Sequence, residues 1–501
     1  MNFEDLPTIG YEEARPDAGG VAQALARIGY QLEEALADLI DNSIDAHAEN
    51  ILIRFYRDSA TVRRIAVVDD GSGMSLSEMR RAMQFGVRQE HKKSDLGKYG
   101  MGLKTASFSQ CRSLTVLSQQ KNNSAGRRWT LSSIEQGWLT EKVADEAVRS
   151  FFLSFWTDFD LMAHGSVVLW DDLDQFKVQE NGFEAGLSRV LKQVAKHLGL
   201  VFHRFLADGR CNIFIDTYNY ESDIRGPRLD IKPLDPFSYP RSGRPGYPKI
   251  FRLSFSSLPP LKLKAHIWPP HSTSAGYKLG GGNVAARQGF YIYRNDRLIQ
   301  AGGWNGWRES DSEPHVSLAR VQIDLKDDHA NIFRVKVQKS GMDVSQDFRS
   351  ALDEAASGPT SFSTFVQDAV QVYRKTLPNL RKTCLILGDG VVPKVQSIVR
   401  STLAEKNDII SAIDFEWKPL PPTSVFEVAP DECCIYLNSV YRDSLSQKRR
   451  TSKNDVPVVK SLLFMLLRDE MQSRRQSDKS TRQVAALNVI LLAALGETLN
   501  D

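Results

Sequence analysis

The sequence predicts an α+β chain: a mixed sheet covered by helices on one face, then a second α/β unit, then a mainly helical C-terminal region. Three observations carry this expectation. In EEALADLIDNSIDAHA, Leu36, Leu39, Ile40 and Ile44 fall on one helical face. That helix is followed at once by the alternating apolar residues of ILIRFY and by RRIAVVDDGSGM, a strand running into a glycine turn. After Asp343 the strand-like texture gives way to helical periodicity, as in SFSTFVQDAVQVYRKTL.

Taken in order, the helical pattern runs from Ala22 to Ala48 with a break near Gly29, and the two strands follow it. GKYGMGLKTASFSQC reads as a glycine loop entering a helix. RSLTVLS, RRWTLSSI and GSVVLWDDL add strands that suit one mixed sheet. A helix at FEAGLSRVLKQVAKHLGLVFHRFLA leads to CNIFIDTY, and the proline-rich Pro233–Pro248 stretch marks a loop or linker. IFRLSFSS, LKAHIWP, GFYIYRNDRLI, ARVQIDL and FRVKVQ then read as strands of a second unit. A short α/β-like region around LILGDG and CCIYLN precedes two strong helices, VPVVKSLLFMLLRDEMQSRR and TRQVAALNVILLAALGETL, that suit core or an interface. The domains expected are residues 1–175, 176–345 and 346–501. No internal repeat or long low-complexity tract appears.

At 501 residues, 42% hydrophobic and 25% charged, the chain can build several cored domains and has no composition for disorder over large parts. It contains no apolar run of roughly 20 residues and no apolar N-terminal signal segment, so a cytoplasmic protein without membrane contact is expected. Cys111, Cys211, Cys384, Cys433 and Cys434 show no zinc spacing and read as reduced, buried thiols. A net charge of +3 decides nothing about nucleic acid.

Three short segments of the first domain could share one ligand. Asp38, Asn42 and Asp45 lie on one helical face, since steps of four and three return to nearly the same azimuth. An Asn oxygen with triphosphate oxygens suffices for magnesium, which keeps several waters, and Asp38 could polarise an attacking water. On its own this segment reads equally as a solvated helix face. Asp69 ends the apolar run IAVV and begins D-D-G-S-G, where Gly71 and Gly73 allow a tight turn and close approach to a flat ring. A buried carboxylate there could accept from an exocyclic amine; the plain alternative is an Asp-Gly turn. Gly97-Lys98-Tyr99-Gly100-Met101-Gly102-Leu103-Lys104 exposes successive N–H groups ahead of a helix, as phosphate binding requires, with Lys98 and Lys104 to add charge. A generic flexible loop would look similar, so it is the conjunction within about 70 residues that counts.

In this conjunction the chain resembles the GHKL superfamily of gyrase B, the heat-shock chaperones, histidine kinases and MutL. DLIDNSIDA, DDGSG and GKYGMG match its N, G1 and G2 boxes. The resemblance implies a Bergerat-type α/β sandwich ATPase domain with ATP and Mg2+ as ligands. Asn42 would be the magnesium ligand, Asp69 the reader of the adenine amine, and Gly73, Gly100 and Gly102 the lining of the phosphate pocket. His164-Gly165-Ser166-Val167-Val168 resembles the later G-T-x-V strand and would put Ser166 beside Asp69. The nucleotide-binding set so expected is Asn42, Asp45, Asp69, Gly71, Gly73, Met74, Gly97 through Lys104, and Ser166. GFYIYRNDRLIQ and VKVQKSG resemble an S5-like transducer domain, closest to that of MORC-like proteins, whose loop lysine reaches the γ-phosphate. Lys339 is the best match and Lys336 a weaker one; an exposed strand-end lysine is the plain alternative.

One departure bears on turnover. The N box of hydrolysing relatives has Glu where this chain has Asp38, one methylene shorter, so a slow ATPase is expected. The polar span from Phe85 to Tyr99 suits a lid or a plain surface loop. The resemblance implies a nucleotide-dependent homodimer that clamps a partner, double-stranded DNA or a protein, and a setting in anti-phage defence. The alternative is a non-hydrolysing module whose partner-binding shape the nucleotide stabilises. A histidine kinase is disfavoured, because no histidine precedes His47. Lys448, Arg449, Arg450 and Lys453, and Arg474, Arg475, Lys479 and Arg482, suit phosphate contacts or solvated helix ends.

Overall fold

The computed structural model describes residues 10–13, 17–27, 29–84, 96, 102–121, 123–154, 156–173, 182–256, 258–329, 332–335, 342–376, 383–404, 409–446, 452–472 and 478–496. The chain divides into two compact units, Met1–Arg374 and Lys375–Asp501.

The first unit begins with helices Ala18–Ala26 and Leu32–Asp45, parted at the expected break. Glu33 and Glu34 in the first turn of the second helix oppose its dipole, and the Glu34 carboxylate accepts from the Gln31 N–H at 3.3 Å. Its apolar stripe, Leu36, Leu39 and Ile40, is fully buried. The sheet beneath it contains β1 (Asn50–Arg57), β2 (Val62–Asp69), β3 (Cys111–Gln120), β4 (Asn123–Thr130), β5 (Glu141–Val143), β6 (His164–Leu173), β7 (Asn212–Asn219), β8 (Ile224–Arg225) and β9 (Leu229–Asp230). Their order is β5-β4-β3-β6-β2-β1-β7-β8, with β9 also on β7. Every pairing is antiparallel except β1 with β7.

Strand alternation sorts the two faces. Ile51, Ile53 and Phe55 of β1 join Ile65, Val67, Leu114 and Val116 under the Leu32–Asp45 helix. Leu52, Ala66, Val68, Val167 and Leu169 point to the opposite face, where Val148 and Phe152 of the Asp145–Leu153 helix cover them. Helices were expected on one face; the second is covered because its strand residues are apolar too. CNIFIDTY, placed by sequence after the boundary at 175, supplies β7 of this first sheet.

The remainder of this unit is a second sheet of β10 (Lys249–Leu253), β11 (Leu261–Ile267), β12 (Gly289–Arg294), β13 (Arg297–Ala301) and β14 (Ala319–Leu325), ordered β13-β12-β14-β11-β10, with two short strands, Ala356–Ser357 and Thr360–Ser361, at the β10 edge. Asn295 and Asp296 link β12 to β13 with positive φ of 47° and 65°, the geometry of a tight two-residue hairpin. Phe251, Leu263, Trp268, Phe290, Ile292 and Ile323 form its core with Phe348, Leu352, Phe362 and Phe365 from helices Gln346–Asp353 and Phe362–Thr376. Of FRVKVQ, the described residues Phe333–Val335 pair with Met342–Val344 in a separate ribbon rather than in this sheet.

The second unit is a four-stranded sheet ordered Thr383–Leu387, Ile409–Lys418, Cys434–Asn438, Phe426–Ala429, parallel except at the last pairing. Leu463, Phe464 and Leu467 of the Pro457–Gln472 helix and Leu492 of the Asp478–Ala494 helix are core, while Leu462, Met465 and Ile490 face outward. No helix among the described residues is long and apolar enough to cross a membrane.

Candidate functional site

The site is organised by the end of β2. Asp69 pairs with Ile51 of β1 and Ser166 of β6, so its side chain is drawn into the sheet and is 5% exposed. The Ser43 hydroxyl donates to its Oδ2 at 2.9 Å, and the Gly71 N–H to its Oδ1 at 3.0 Å. Burial pushes its pKa from 3.8 up to about 6, against the hydrogen bonds from Ser43, Gly71 and the Ser166 backbone. Such a carboxylate is an acceptor held in a fixed direction with little competing water.

The turn after it has no room for a Cβ at Gly71 or Gly73. A Cβ on Gly71 would lie 2.9 Å from the Ala46 Cβ, the Ala46 carbonyl oxygen and Asp69 Oδ1. Gly73 has φ +66°, and a Cβ there would meet the Gln119 carbonyl oxygen at 2.0 Å. The Met74 N–H donates to Ser118 Oγ at 2.7 Å, and Ser118 Oγ in turn donates to the Gly165 carbonyl at 3.1 Å and lies 3.4 Å from Ser166 Oγ. His164 Nδ1 lies 2.8 Å from the Asp70 carbonyl oxygen and 2.9 Å from that of Gly71. The glycine turn is therefore stitched to β3 and β6, and Asp69, Gly71, Gly73, Met74 and Ser166 are brought together.

Across the turn stands the Leu32–Asp45 helix. Asn42 is exposed to solvent, whereas Asp38, one turn earlier, is 3% exposed. The Tyr30 hydroxyl donates to Asp38 Oδ2 at 3.1 Å; burial and the Asp38 charge push the tyrosine pKa up. Arg297, the first residue of β13, places its Nη2 3.5 Å from Asp38 Oδ1 and donates from Nε to Asp41 Oδ1 at 2.7 Å. A Cβ on Gly102 would lie 3.9 Å from Asp38 Oδ2, so the first residue of the Gly102–Phe108 helix sits beside that oxygen. Glu34 lies one turn further back, and its pKa is raised chiefly by burial.

Two expected site residues have protein partners of their own. Asp45 accepts the Leu96 N–H, at 2.9 Å on Oδ1 and 3.1 Å on Oδ2, and so ties down the chain ahead of the glycine loop. Lys104 was expected to add charge to that loop. Its helix instead buries residues 104 to 108, and its ammonium donates to the Ala82 carbonyl at 2.9 Å and that of Gln84 at 2.6 Å, where the helix Leu76–Met83 ends. Burial lowers its pKa to about 8. Leu103 packs against the core. Gly97, Lys98, Tyr99, Gly100, Met101, Lys336 and Lys339 lie outside the described residues, as do the lid span apart from Leu96 and the basic residues Lys448, Arg449, Arg450, Arg474 and Arg475.

The sequence reading missed Ser43, Ser118, Tyr30 and Arg297. Ser43 sits inside DNSID beside Asn42 and could have been found as a polar residue on the buried side of an amphipathic helix. Arg297 is 256 positions from Asp41 and carries no local signal. Among the described residues no three His, Cys, Asp or Glu side chains gather as a metal cage. The solvent-exposed Asn42 amide offers one oxygen, a ligand that suits magnesium, which keeps several waters and takes further oxygens from a triphosphate.

Residues 30–154 match the family model of the histidine kinase-, DNA gyrase B- and HSP90-like ATPases. Over 95 residues the chain is 32% identical to Protein MICRORCHIDIA 6 of Arabidopsis thaliana, a stretch that takes up 18% of this chain and 14% of that protein. Among solved structures it is similar to the N-terminal domain of a DNA repair protein, at 16% identity and a TM-score of 0.39, over 72% of this chain and 99% of that one. With the buried Asp69 and its glycine turn set against the Asp38–Asn42 helix, the match over residues 30–154 identifies this part of the chain as an ATP-binding domain of the GHKL type, the family of histidine kinase-, DNA gyrase B- and HSP90-like ATPases.

Proposed function

We propose that the chain is a slow ATPase whose nucleotide state switches its conformation. The observation that carries this reading is the buried Asp69 carboxylate, aimed by Ser43 and Gly71 beside a turn with no room for a Cβ at Gly71 or Gly73. Asp69 accepts from the adenine amine with the Ser166 hydroxyl beside it, and Gly71 and Gly73 let the ring lie against the backbone. Asn42 holds magnesium, which when bound neutralises charge on the triphosphate. Asp38, next to Gly102, takes the proton of the attacking water. Gly97, Lys98, Tyr99, Gly100, Met101 and Gly102 cradle the phosphates, and Lys339 reaches the terminal one, so that its loss releases the contact.

In this reading nucleotide closes the Phe85–Tyr99 lid, two copies dimerise through their N-terminal domains, and the closed dimer clamps a partner, double-stranded DNA or a protein. An anti-phage role is the setting that the MORC-like resemblance suggests. A second reading, a non-hydrolysing module, is favoured by one observation: Asp38 is short, and its two oxygens already face the Tyr30 hydroxyl and Arg297. Phosphate release under excess magnesium, with and without double-stranded DNA, beside size-exclusion chromatography with a non-hydrolysable ATP analogue, separates the two. Turnover with analogue-induced dimerisation supports the switch. Tight nucleotide binding without turnover supports the module.

A further inference from the structure

We propose that Arg297 is a positioning residue for the hydrolytic carboxylate, so that the β12–β13 hairpin of the second sheet decides whether Asp38 can act. The inference rests on the ATPase reading of Asp38. Asp38, Asp41 and Arg297 form a buried triad, 3%, 0% and 3% exposed.

Two carboxylates one turn apart on a buried helix face repel each other and lack water, and the Arg297 guanidinium serves both. Its Nε donates to Asp41 at 2.7 Å, and its Nη2 faces Asp38 Oδ1 at 3.5 Å. The planar fork fixes the direction of each contact. With Oδ1 turned to Arg297, the Oδ2 of Asp38 is the oxygen on the side of Gly102 and the Tyr30 hydroxyl. In hydrolysis a water oxygen bonds to the γ-phosphorus, the bond to the β–γ bridging oxygen breaks with its electron pair leaving on ADP, and the water proton passes to that carboxylate. An aspartate has one rotatable bond fewer than a glutamate with which to find the water. Its aim therefore depends on what holds its other oxygen.

Arg297 is not free to drift. The preceding residue, Asp296, pairs with Arg204 and Arg210, each at 3.0 Å, and Arg204 also pairs with Asp324 of β14. Arg204 and Arg210 flank β7 of the first sheet on its N-terminal side. One hairpin turn thus presents an anion to the Arg204–Arg210 segment and a cation to the Leu32–Asp45 helix. Displacing the turn withdraws the guanidinium from Asp38 and Asp41 together.

The test measures steady-state ATP hydrolysis and equilibrium ATP binding for the full chain and its Arg297→Gln, Arg297→Lys, Asp38→Asn and Arg297→Gln/Asp38→Asn variants, with thermal unfolding as the control for folding. The expected result is a kcat lowered about tenfold or more in Arg297→Gln at a KM within about twofold of wild type, partial rescue in Arg297→Lys, and no further loss when Arg297→Gln is added to Asp38→Asn. If Arg297→Gln does not fold, the Arg297→Lys chain, which keeps the buried cation, carries the same kcat-against-KM comparison. Wild-type kcat in folded Arg297 variants, with Asp38→Asn inactive, overturns the positioning role and leaves the ATPase reading intact. Undiminished turnover in Asp38→Asn, or none in the wild type, overturns both.

Discussion

The Ser43 hydroxyl donates to the Asp69 carboxylate at 2.9 Å, joining the helix that carries Asn42 to the strand end that begins the glycine turn. One hydrogen bond thus sets the spacing between the adenine-reading and magnesium-holding sides of the proposed site. Ser43→Ala leaves a buried carboxylate one donor short. It is expected to cost about 1–3 kcal/mol of stability and to weaken ATP binding, read by chemical denaturation and by titration calorimetry.

Asp69 also gives the protein a pH signature. Its folded pKa of about 6 lies above the ordinary 3.8, so its contribution to stability is full below 3.8 and is lost as pH rises through about 6. A shift of that size corresponds to roughly 3 kcal/mol. Between pH 4 and 7 the nucleotide-free wild type should lose stability relative to Asp69→Asn, while the variant binds ATP at least about tenfold more weakly. Parallel stability curves for the two proteins would contradict the burial argument, and unchanged ATP affinity the adenine role.

Asn42 and Asp38 should separate binding from chemistry. Asn42→Ala is expected to abolish magnesium-dependent ATP binding while moving stability by no more than about 0.5 kcal/mol, since the side chain is exposed. Asp38→Asn is expected to spare binding and remove turnover. Equal loss of binding in both variants counts against the separate roles.

Lys104 supplies a control. Because its ammonium donates to the carbonyls of Ala82 and Gln84, Lys104→Gln should destabilise the fold yet leave ATP affinity within about threefold. A loss as large as that of Asn42→Ala would show that the lysine reaches the phosphates after all.

Gly73 tests the turn. At φ +66°, and with the Gln119 carbonyl oxygen only 2.0 Å from where a methyl carbon would stand, Gly73→Ala must displace the backbone. An alanine there should cost more than about 1 kcal/mol, seen as a lowered thermal midpoint together with weaker ATP binding.

How much of this was legible in the sequence depends on distance along the chain. The Asp38, Asn42 and Asp45 spacing and the DDGSG turn are local patterns, and the helix and strand expected there are present. The direction of Lys104 was not legible, because a lysine beside glycines reads as a phosphate ligand until the helical phase of Gly102–Phe108 turns it inward. Arg297 was hidden for a different reason: its partners lie in another sheet's neighbourhood, and nothing in NDRLIQ distinguishes a buried cation from a solvated one. CNIFIDTY supplies β7, but parallel pairing over 162 positions, Asn50 with Asn212, leaves no local trace of which sheet receives it.

That parallel pairing has a consequence for how the chain is made. Until residue 219 has left the ribosome, β1 presents a bare row of N–H and C=O groups beside the Leu32–Asp45 helix, on a strand whose residues 51 to 55 are all buried in the finished fold. An unprotected apolar edge of that kind recruits other strands. A fragment ending at residue 175 should therefore aggregate, whereas one extended past β9 at Asp230 keeps its edge covered, and the passage between those two lengths is the stretch of synthesis in which the nascent protein most needs a chaperone.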